Sequence, residues 1–372
     1  MITYCKKCLN PSTRPNTYFD ESGICPVCVY ENKKKDLTID WDSRKSEIKE
    51  IKDWGVNNSK SSYDCIVTVS GGKDSMRQAF FARDELGMNP LLVCCMYPPE
   101  EIHERGAKNI SNLIENGFDC ISLSLDPVKW KEMMKHGFYK FGNFFKSTEM
   151  ALYAIPVHVA IGYKIPLMFY GENPALTIGE KHGRLDGNAI GIQEANTIKG
   201  GPKSLDFEEG NLNDFHFYEY PSYENIEHAG IRIIYLGYYI QDWYGKRNAE
   251  IAISNGLTTR KDKPENIGDL WGVSALDEDF RIVNQHLKYL KFGFGHVTDQ
   301  VCEAIHQELI DRSEAVKLVK KYDGNCSDDY IRSFCDFLEI STKEFWRQAD
   351  KFVNKNLFEK VNGKWKPKFT VK

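Results

Sequence analysis

The sequence predicts an α/β domain built on a doubly wound parallel sheet. From about residue 61, short apolar segments alternate with segments of helical periodicity, and the first apolar segment ends in the turn Ser70-Gly71-Gly72. Buried parallel strands are typically near-continuous apolar runs, and helical crossovers between them cover both faces of the sheet. Residues 280–372 instead have a helical pattern almost throughout, so we expect a separate C-terminal helical region.

The predicted strands span residues 65–69, 90–97, 120–125, 165–170 and 231–239, with helices at 73–86, 100–116 and 127–163 between them. Residues 171–230 are rich in Gly, Asn and acidic residues and are too long for a plain connection, which indicates a functional insertion or lid. The predicted domains are residues 1–32, a metal-binding ribbon; 33–60, a helical linker; 61–279, the α/β domain with the insertion; and 280–372, the helical region.

The composition excludes several classes of protein. A net charge of -4 over 372 residues gives no indication of a nucleic-acid binder. No segment approaches the ~20 apolar residues needed to span a membrane, and the N-terminus lacks the apolar core of a signal peptide. We therefore expect a cytoplasmic protein, in which the 11 cysteines do not form a disulfide framework.

The turn after the first strand is a candidate phosphate-binding loop. Its residues are Ser70, Gly71, Gly72, Lys73, Asp74 and Ser75. The glycines permit close backbone approach, and the helix that follows offers free N–H groups and a partial positive charge to an anion. Lys73 adds a full charge, and Asp74 is suited to hold Mg²⁺ or cap the helix. The spacing differs from the Walker A motif and resembles the Ser-Gly-Gly-x-Asp-Ser signature of PP-loop ATP pyrophosphatases.

That resemblance implies that the loop binds the pyrophosphate part of ATP. Cleavage then falls between the α- and β-phosphates, and an acceptor oxygen becomes an adenylate.

Two Cys-x-x-Cys pairs lie close together near the N-terminus. Cys5 and Cys8 precede Cys25 and Cys28 in a segment too short to bury a core of its own. This spacing favours a structural zinc site with four thiolate ligands and no open position. An iron–sulfur cluster and a redox dithiol are the alternatives.

Two further segments follow strands and are candidates for the site. Gly171, Glu172 and Asn173 come directly after the fourth strand, at the edge where open α/β sheets bind ligands. Glu172 is suited to bind magnesium or orient an amide and Asn173 to bind a sugar; a plain turn with a helix cap is the alternative. Lys246, beside Arg247 at a helix start after the fifth strand, is a candidate second cation for the leaving pyrophosphate. Lys181, His182 and Arg184 are weaker candidates for binding a nucleotide.

Beyond the loop, most of the chain resembles the N-acetyl sugar amidotransferases of surface-polysaccharide biosynthesis. The segments that carry the resemblance are the two cysteine pairs, the loop, 171–176, 236–241, 291–300 and 314–324. The resemblance implies conversion of an acetamido group, on a nucleotide-linked sugar, into an acetamidino group, as in pseudaminic-acid-type sugars and lipopolysaccharide O-antigen.

The resemblance also implies ATP and Mg²⁺ as cofactors, beside the structural Zn²⁺. The nitrogen donor is expected to be a separate glutaminase subunit, with a cyclase-like partner. The sequence agrees, because two common glutaminase signatures are absent: position 2 is Ile2, and no Gly-x-Cys-x-Gly segment occurs.

Two alternative functions remain open on the sequence. A tRNA-thiolating PP-loop enzyme also combines cysteine pairs with adenylylation, but it predicts a basic surface that the net charge does not indicate. A non-catalytic scaffold for a glutaminase is the second alternative, against which the intact loop argues.

Overall fold

The structure is a computed structural model that describes residues 2–36, 38–181, 183–195, 197–205 and 212–372. Five strands, numbered in chain order, form one parallel sheet: β1 (Cys65–Thr68), β2 (Pro90–Met96), β3 (Cys120–Ser124), β4 (Leu167–Tyr170) and β5 (Arg232–Tyr235). Their order across the sheet is β3-β2-β1-β4-β5. The predicted fold class is confirmed. The fifth strand is shorter than predicted because the chain turns into a 3₁₀-helix at Leu236–Tyr238.

Each strand contributes to two hydrophobic cores, one on each face of the sheet. In β2, Leu91, Val93 and Cys95 pack on one face, while Leu92 and Cys94 pack on the other. The other central strands alternate in the same way, because successive side chains of a strand point to opposite faces. Burial on both faces accounts for the near-continuous apolar runs in the sequence.

Helices cover both faces of the sheet and form most of the C-terminal region. The α-helices of the described residues are α1 (Pro26–Lys35), α2 (Trp41–Asn58), α3 (Lys73–Phe80, continued by a π-helical turn at Phe81–Glu85), α4 (Glu104–Glu115), α5 (Pro127–Phe141), α6 (Phe145–Tyr163), α7 (Pro174–Thr177), α8 (Tyr223–His228), α9 (Gly245–Ser254), α10 (Pro264–Ile267), α11 (Phe280–Phe292), α12 (His296–His306), α13 (Arg312–Tyr322), α14 (Asp328–Phe337) and α15 (Thr342–Ala349). Among these described helices, none is both long enough and apolar enough to cross a membrane.

A β-hairpin lies near the end of the predicted C-terminal helical region, 280–372, beyond the helical pattern, which reaches only to Val353. Strands β6 (Phe358–Val361) and β7 (Lys364–Pro367) are antiparallel and joined by Asn362 and Gly363. Both joining residues have positive φ, at 49° and 78°. Asn-Gly is the preferred pair for such a two-residue turn, so a local signal for this hairpin is present in the sequence.

The N-terminal ribbon packs against the C-terminal helices. Cys5, Cys8, Leu9 and Val27 share a hydrophobic cluster with residues of α12 and α13. Arg14 forms an ion pair with Asp299 on α12, and its guanidinium lies 4.5 Å from the centre of the Phe294 ring. The ribbon and the C-terminal helices therefore form one packed unit.

Candidate active site

The predicted phosphate loop lies at the point where the strand order of the sheet reverses. The chain passes from β1 outwards to β2 and β3 and then returns to β4 on the other side of β1. Ligands of open α/β sheets bind at the carboxyl ends of the strands at such a point. Gly71 has a φ of 76°, and a Cβ there would lie 3.1 Å from Cβ of Asn109, so glycine fits this turn closely.

Two helix N-termini meet at this loop. α3 begins at Lys73, and α9 packs beside it, with Gly245 at its first position. A Cβ on Gly245 would lie 3.3 Å from Cε of Lys73. The first N–H groups of a helix have no partner within the helix. Neither helix is capped by the side chain of the residue that precedes it, although the N–H of Gly245 donates to the Glu303 carboxylate. The residues present therefore fit the polyphosphate of a nucleotide.

Asn248 on α9 holds the loop's carboxylate in place. Its amide nitrogen donates to Oδ1 of Asp74 at 2.7 Å, and its amide oxygen accepts from Nη1 of Arg77 at 2.6 Å. Asn248 is completely buried. The other oxygen of Asp74 accepts from Nζ of Lys73 at 2.7 Å. The carboxylate of Asp74 is thus fixed by two neighbours before any ligand arrives.

Lys73 is surrounded by carboxylates from three parts of the chain. Burial alone would lower the pKa of Lys73, but Asp74, Glu303 on α12 and Glu172 together hold it above its ordinary value. The side chain of Glu172 is exposed to the solvent of the cavity, but protein surrounds it on most sides. This burial and the nearby Asp74 carboxylate raise the pKa of Glu172. Burial also raises the pKa of Glu303, which accepts a hydrogen bond from N–H of Gly245. This cluster of one ammonium and three carboxylates is suited to bind a cation or a phosphate with its metal ion, or to transfer a proton.

A cavity of about 280 Å³ opens above the loop. The residues of the α/β domain on its wall include Lys73, Asp74, Glu172 and Tyr244. The C-terminal domain adds Arg281, His296, Asp299 and Glu303, and the ribbon adds Cys8, Arg14 and Cys25. All three parts of the chain therefore form one site.

The four predicted cysteine ligands lie together. Their sulfur atoms are all within 4.8 Å of one another, and the Cys5–Cys28 and Cys8–Cys25 sulfur pairs are each 3.7 Å apart. Four thiolates around one tetrahedral ion at ~2.3 Å would be separated by about this distance. Backbone N–H groups of Asn10 and Cys25 donate to these sulfurs at 3.3 Å, as expected for thiolate ligands. The donor set fits a single metal ion.

A histidine from α12 joins this metal site to the cavity. Nε2 of His306 lies 3.1 Å from Sγ of Cys28, and His306 also lines the cavity. A metal site is shaped by such neighbours as well as by its ligands. The ribbon is therefore part of the wall of the candidate active site.

The remaining predicted residues lie outside the cavity wall. Ser70, Gly71, Gly72 and Ser75 form the turn beneath it, where the hydroxyl of Ser75 donates to the carbonyl of Gly72 at 3.0 Å.

Gly171 and Asn173 flank Glu172 as supports. A Cβ on Gly171 would lie 3.0 Å from Nε2 of Gln78. Asn173 caps α7 through the N–H of Ala175 and donates to the carbonyls of Arg184 and Asp186, so both of its amide hydrogens are used. The structure thus gives Asn173 the helix-cap role that the sequence analysis held as the alternative to sugar binding.

Lys246 does not reach the cavity. It is exposed beside Arg247, which pairs with Asp242 and Glu250 at the surface. Residues two apart on a helix face different directions, so with Asn248 turned towards the loop, Lys246 faces solvent. Lys181 is exposed and Arg184 pairs with Asp186; neither lines the cavity, and His182 lies outside the described residues.

Sequence reasoning missed the residues that other elements bring to the loop. These are Asn248 on α9, Arg281 on α11, and His296 and Glu303 on α12. His296 falls within the segment 291–300 that carries the family resemblance, which was the available signal. Arg281 and Glu303 have no local motif, because only the packing of the C-terminal helices places them here.

Comparison with known proteins supports the assignment of the C-terminal region. Residues 275–370 match the family model described as "LPS biosynthesis protein WbpG-like, C-terminal domain". A search of curated proteins gave no significant match. Among solved structures, the chain is similar to the U34-tRNA thiolase NcsA from Methanococcus maripaludis with its [4Fe-4S] cluster, at 14% identity and a TM-score of 0.26, over 83% of this chain and 88% of that chain. That likeness is too distant to indicate a substrate.

The matched segment covers about a quarter of the chain and includes α11 and α12, which supply Arg281, His296 and Glu303 to the cavity. The chain is thus similar, over its C-terminal domain, to WbpG-like proteins of lipopolysaccharide biosynthesis, and the surface-polysaccharide resemblance is confirmed to that extent.

Proposed function

We propose that this protein is an ATP-dependent amidotransferase that converts an acetamido group of a nucleotide-linked N-acetyl sugar into an acetamidino group during synthesis of lipopolysaccharide O-antigen or a related surface glycan. One observation carries the proposal: a PP-loop with Lys73 and Asp74 and a WbpG-like domain line the same cavity. The first provides adenylylation, and the second points to a surface sugar.

The chemistry suits the residues present. An amide carbon is a weak electrophile, and its oxygen leaves poorly. If the amide oxygen attacks the α-phosphorus of ATP, pyrophosphate leaves and the oxygen becomes part of an adenylate. Ammonia then adds to the carbon and loses a proton, and AMP departs with the oxygen to leave an amidine. The protein's task is to position both substrates and to stabilise charge at phosphorus.

In this scheme the N-terminus of α3 and the Lys73 ammonium bind the pyrophosphate portion, with the N-terminus of α9 beside them. Asp74, fixed by Asn248, and Glu172 are the carboxylates available to hold Mg²⁺, which would offset phosphate charge when bound. Lys246, the second cation expected from the sequence, lies outside the cavity, so we give it no role in the proposed chemistry.

The metal of the ribbon is proposed to be zinc. A four-iron cluster would place the four cysteine sulfurs on four different irons and hold them further apart than the spacing found here. All four ligands come from the protein, so zinc would stabilise the ribbon and leave no position for a reacting water.

Nitrogen is proposed to come from a separate glutaminase subunit, accompanied by a cyclase-like partner, in the cytoplasm where ATP is available. The purified chain alone should use high ammonium at alkaline pH, where free NH₃ is abundant, and should not use glutamine; adding a glutaminase subunit should restore glutamine use. If the chain alone hydrolysed glutamine and transferred its nitrogen, the partner proposal would be wrong.

The reaction itself is tested by incubating candidate acetamido sugars with ATP, Mg²⁺ and ammonium, followed by mass spectrometry. Replacement of oxygen by NH lowers the mass by about one unit, and AMP and pyrophosphate should appear in step with it. Release of ADP and phosphate instead would contradict the proposal. A tRNA-thiolating enzyme would instead bind RNA, and a scaffold would release no pyrophosphate.

A further inference from the structure

One cation in the cavity has no partner. Arg281, the second residue of α11, lines the cavity and is exposed to its solvent. Its side chain forms no ion pair and no hydrogen bond with the residues that the structure describes; only its backbone N–H is used, donating to Oε2 of Glu278 at 2.9 Å. The other cavity arginine, Arg14, is already paired with Asp299. A guanidinium left open in an enclosed site is suited to a ligand anion.

The carboxylates near Arg281 do not pair with it. Glu149, Glu278 and Asp277 are close enough to act on its charge, yet none of them forms an ion pair with the Arg281 side chain among the residues that the structure describes. Burial raises the pKa of each of these carboxyl groups. The guanidinium is therefore left without a direct partner in the cavity wall.

Arg281 and the phosphate loop come from different parts of the chain. Lys73 and Asp74 begin α3, whereas Arg281 lies on α11, within the segment that matches the WbpG-like domain. Ser274 and His296 line both this cavity and a second small cavity together with Arg281, and neither Lys73 nor Asp74 lines that second cavity. Arg281 thus belongs to the side of the cavity built by the WbpG-like domain.

We propose that Arg281 binds an anionic group of the sugar acceptor, either a carboxylate on the sugar ring or a phosphate of its nucleotide. This inference rests on the proposed function and extends it to the class of acceptor. The reacting acetamido group is neutral, so it gives a guanidinium nothing to pair with; an acceptor with a second, anionic group does.

The test is calorimetric binding of defined probes to the full chain and to Arg281→Gln and Arg281→Lys. The probes are UDP-N-acetylglucosamine, its 6-carboxylate, free N-acetylglucosaminuronic acid and α,β-methylene-ATP with Mg²⁺. Arg332→Gln is the matched control, because Arg332 lies in the same domain but is exposed at the surface, where it pairs with Asp329. Circular dichroism checks that each variant is folded.

Arg281→Gln should weaken binding of at least one anionic sugar probe by about tenfold or more, while binding of the ATP analogue changes by less than about twofold. Arg281→Lys should recover only part of the loss, because it lacks the forked geometry. A loss confined to the two uronates identifies the carboxylate as the anion, and a loss confined to the two UDP sugars identifies the phosphate.

Unchanged binding of every sugar probe, a weakened ATP analogue, or a wild-type protein that binds the ATP analogue but none of the sugars would each overturn the proposal. Failure of the proposed function has a different signature: a sugar probe binds in an Arg281-dependent way, but ATP and ammonium yield neither AMP nor amidine.

Discussion

Replacing Asn248 with alanine is the sharpest test of how the loop is held. Asn248 makes two hydrogen bonds to charged groups, Asp74 and Arg77, and is fully buried. Each such bond contributes about 1.5–3 kcal/mol to stability. Arg77 keeps the carbonyl of Asp242 at 2.8 Å, and Asp74 keeps Lys73. Because these contacts remain, we expect a net loss of about 2–4 kcal/mol in the free energy of unfolding.

The same substitution should slow the reaction more than the loss of stability explains. Asp74 would be free to turn towards Lys73 alone, and misplacing a catalytic carboxylate by about 1 Å can cost on the order of 100-fold in rate. Urea unfolding followed by circular dichroism gives the stability, and AMP release at a temperature where the variant is fully folded gives the rate.

Two companion variants sharpen the result. Asn248→Asp places a carboxylate against Asp74 while keeping the contact with Arg77, so activity should fall with a smaller loss of stability. Asn255→Ala, at the end of the same helix, removes only a bond to the carbonyl of Ile251 and should change little. If Asn248→Ala matched wild type in rate when folded, or lost no more stability than Asn255→Ala, the reasoning would be refuted.

Three other perturbations have defined outcomes. Lys73→Met should reduce kcat/KM by about 100-fold or more, since one preorganised charge contributes about 3 kcal/mol to the transition state; a wild-type rate would remove Lys73 from the mechanism. Chelation, or Cys25→Ser, should release about one zinc per chain and abolish AMP formation while the sheet stays folded. Elemental analysis measures the metal, and circular dichroism measures the fold. Finding iron in place of zinc, or full activity without metal, would contradict this prediction. Burial raises the pKa of Glu101 in the folded protein to about 8. Between the ordinary pKa of the unfolded chain and pH 8, the unfolded state releases this proton while the folded state keeps it, so the stability of the wild type falls as the pH rises. Glu101→Gln does not titrate and should therefore gain a few kcal/mol of stability over wild type between pH 5 and 8; a stability difference independent of pH would refute this.

The parts of the site that could be predicted from the sequence are those encoded locally. The phosphate loop depends on one strand, one turn and one helix start, and the metal site depends on two cysteine pairs that are close in the sequence. Glu172 could be predicted for a similar reason, because residues that follow the strands of a parallel sheet gather at one edge of it. In each case the interactions that place the residue in the site act within a few residues of it along the sequence.

The rest depends on how elements rotate and pack. A helix start after the fifth strand was foreseen, but not its rotation, which brings Asn248 to the loop and leaves Lys246 in solvent. The approach of Glu303 and Arg281 follows from the packing of α11 and α12, for which no short motif exists. The contact between the ribbon and α12 likewise follows from a shared apolar cluster that no spacing rule describes.

The N-terminal ribbon packs against α12 above the phosphate loop, and this packing has a consequence for synthesis on the ribosome. Arg14 and Asp299 are 285 positions apart, and Cys28 and His306 are 278 apart. At about 5–20 residues per second, the ribbon emerges on the order of tens of seconds before α12, the helix that covers it. During that interval the apolar side of the ribbon is exposed to solvent, and the part of the cavity wall that α12 supplies is absent. A nascent or truncated chain therefore displays the phosphate loop without the enclosure around it, so the proposed ATP turnover would begin only after α12 has been synthesised and has packed on the ribbon.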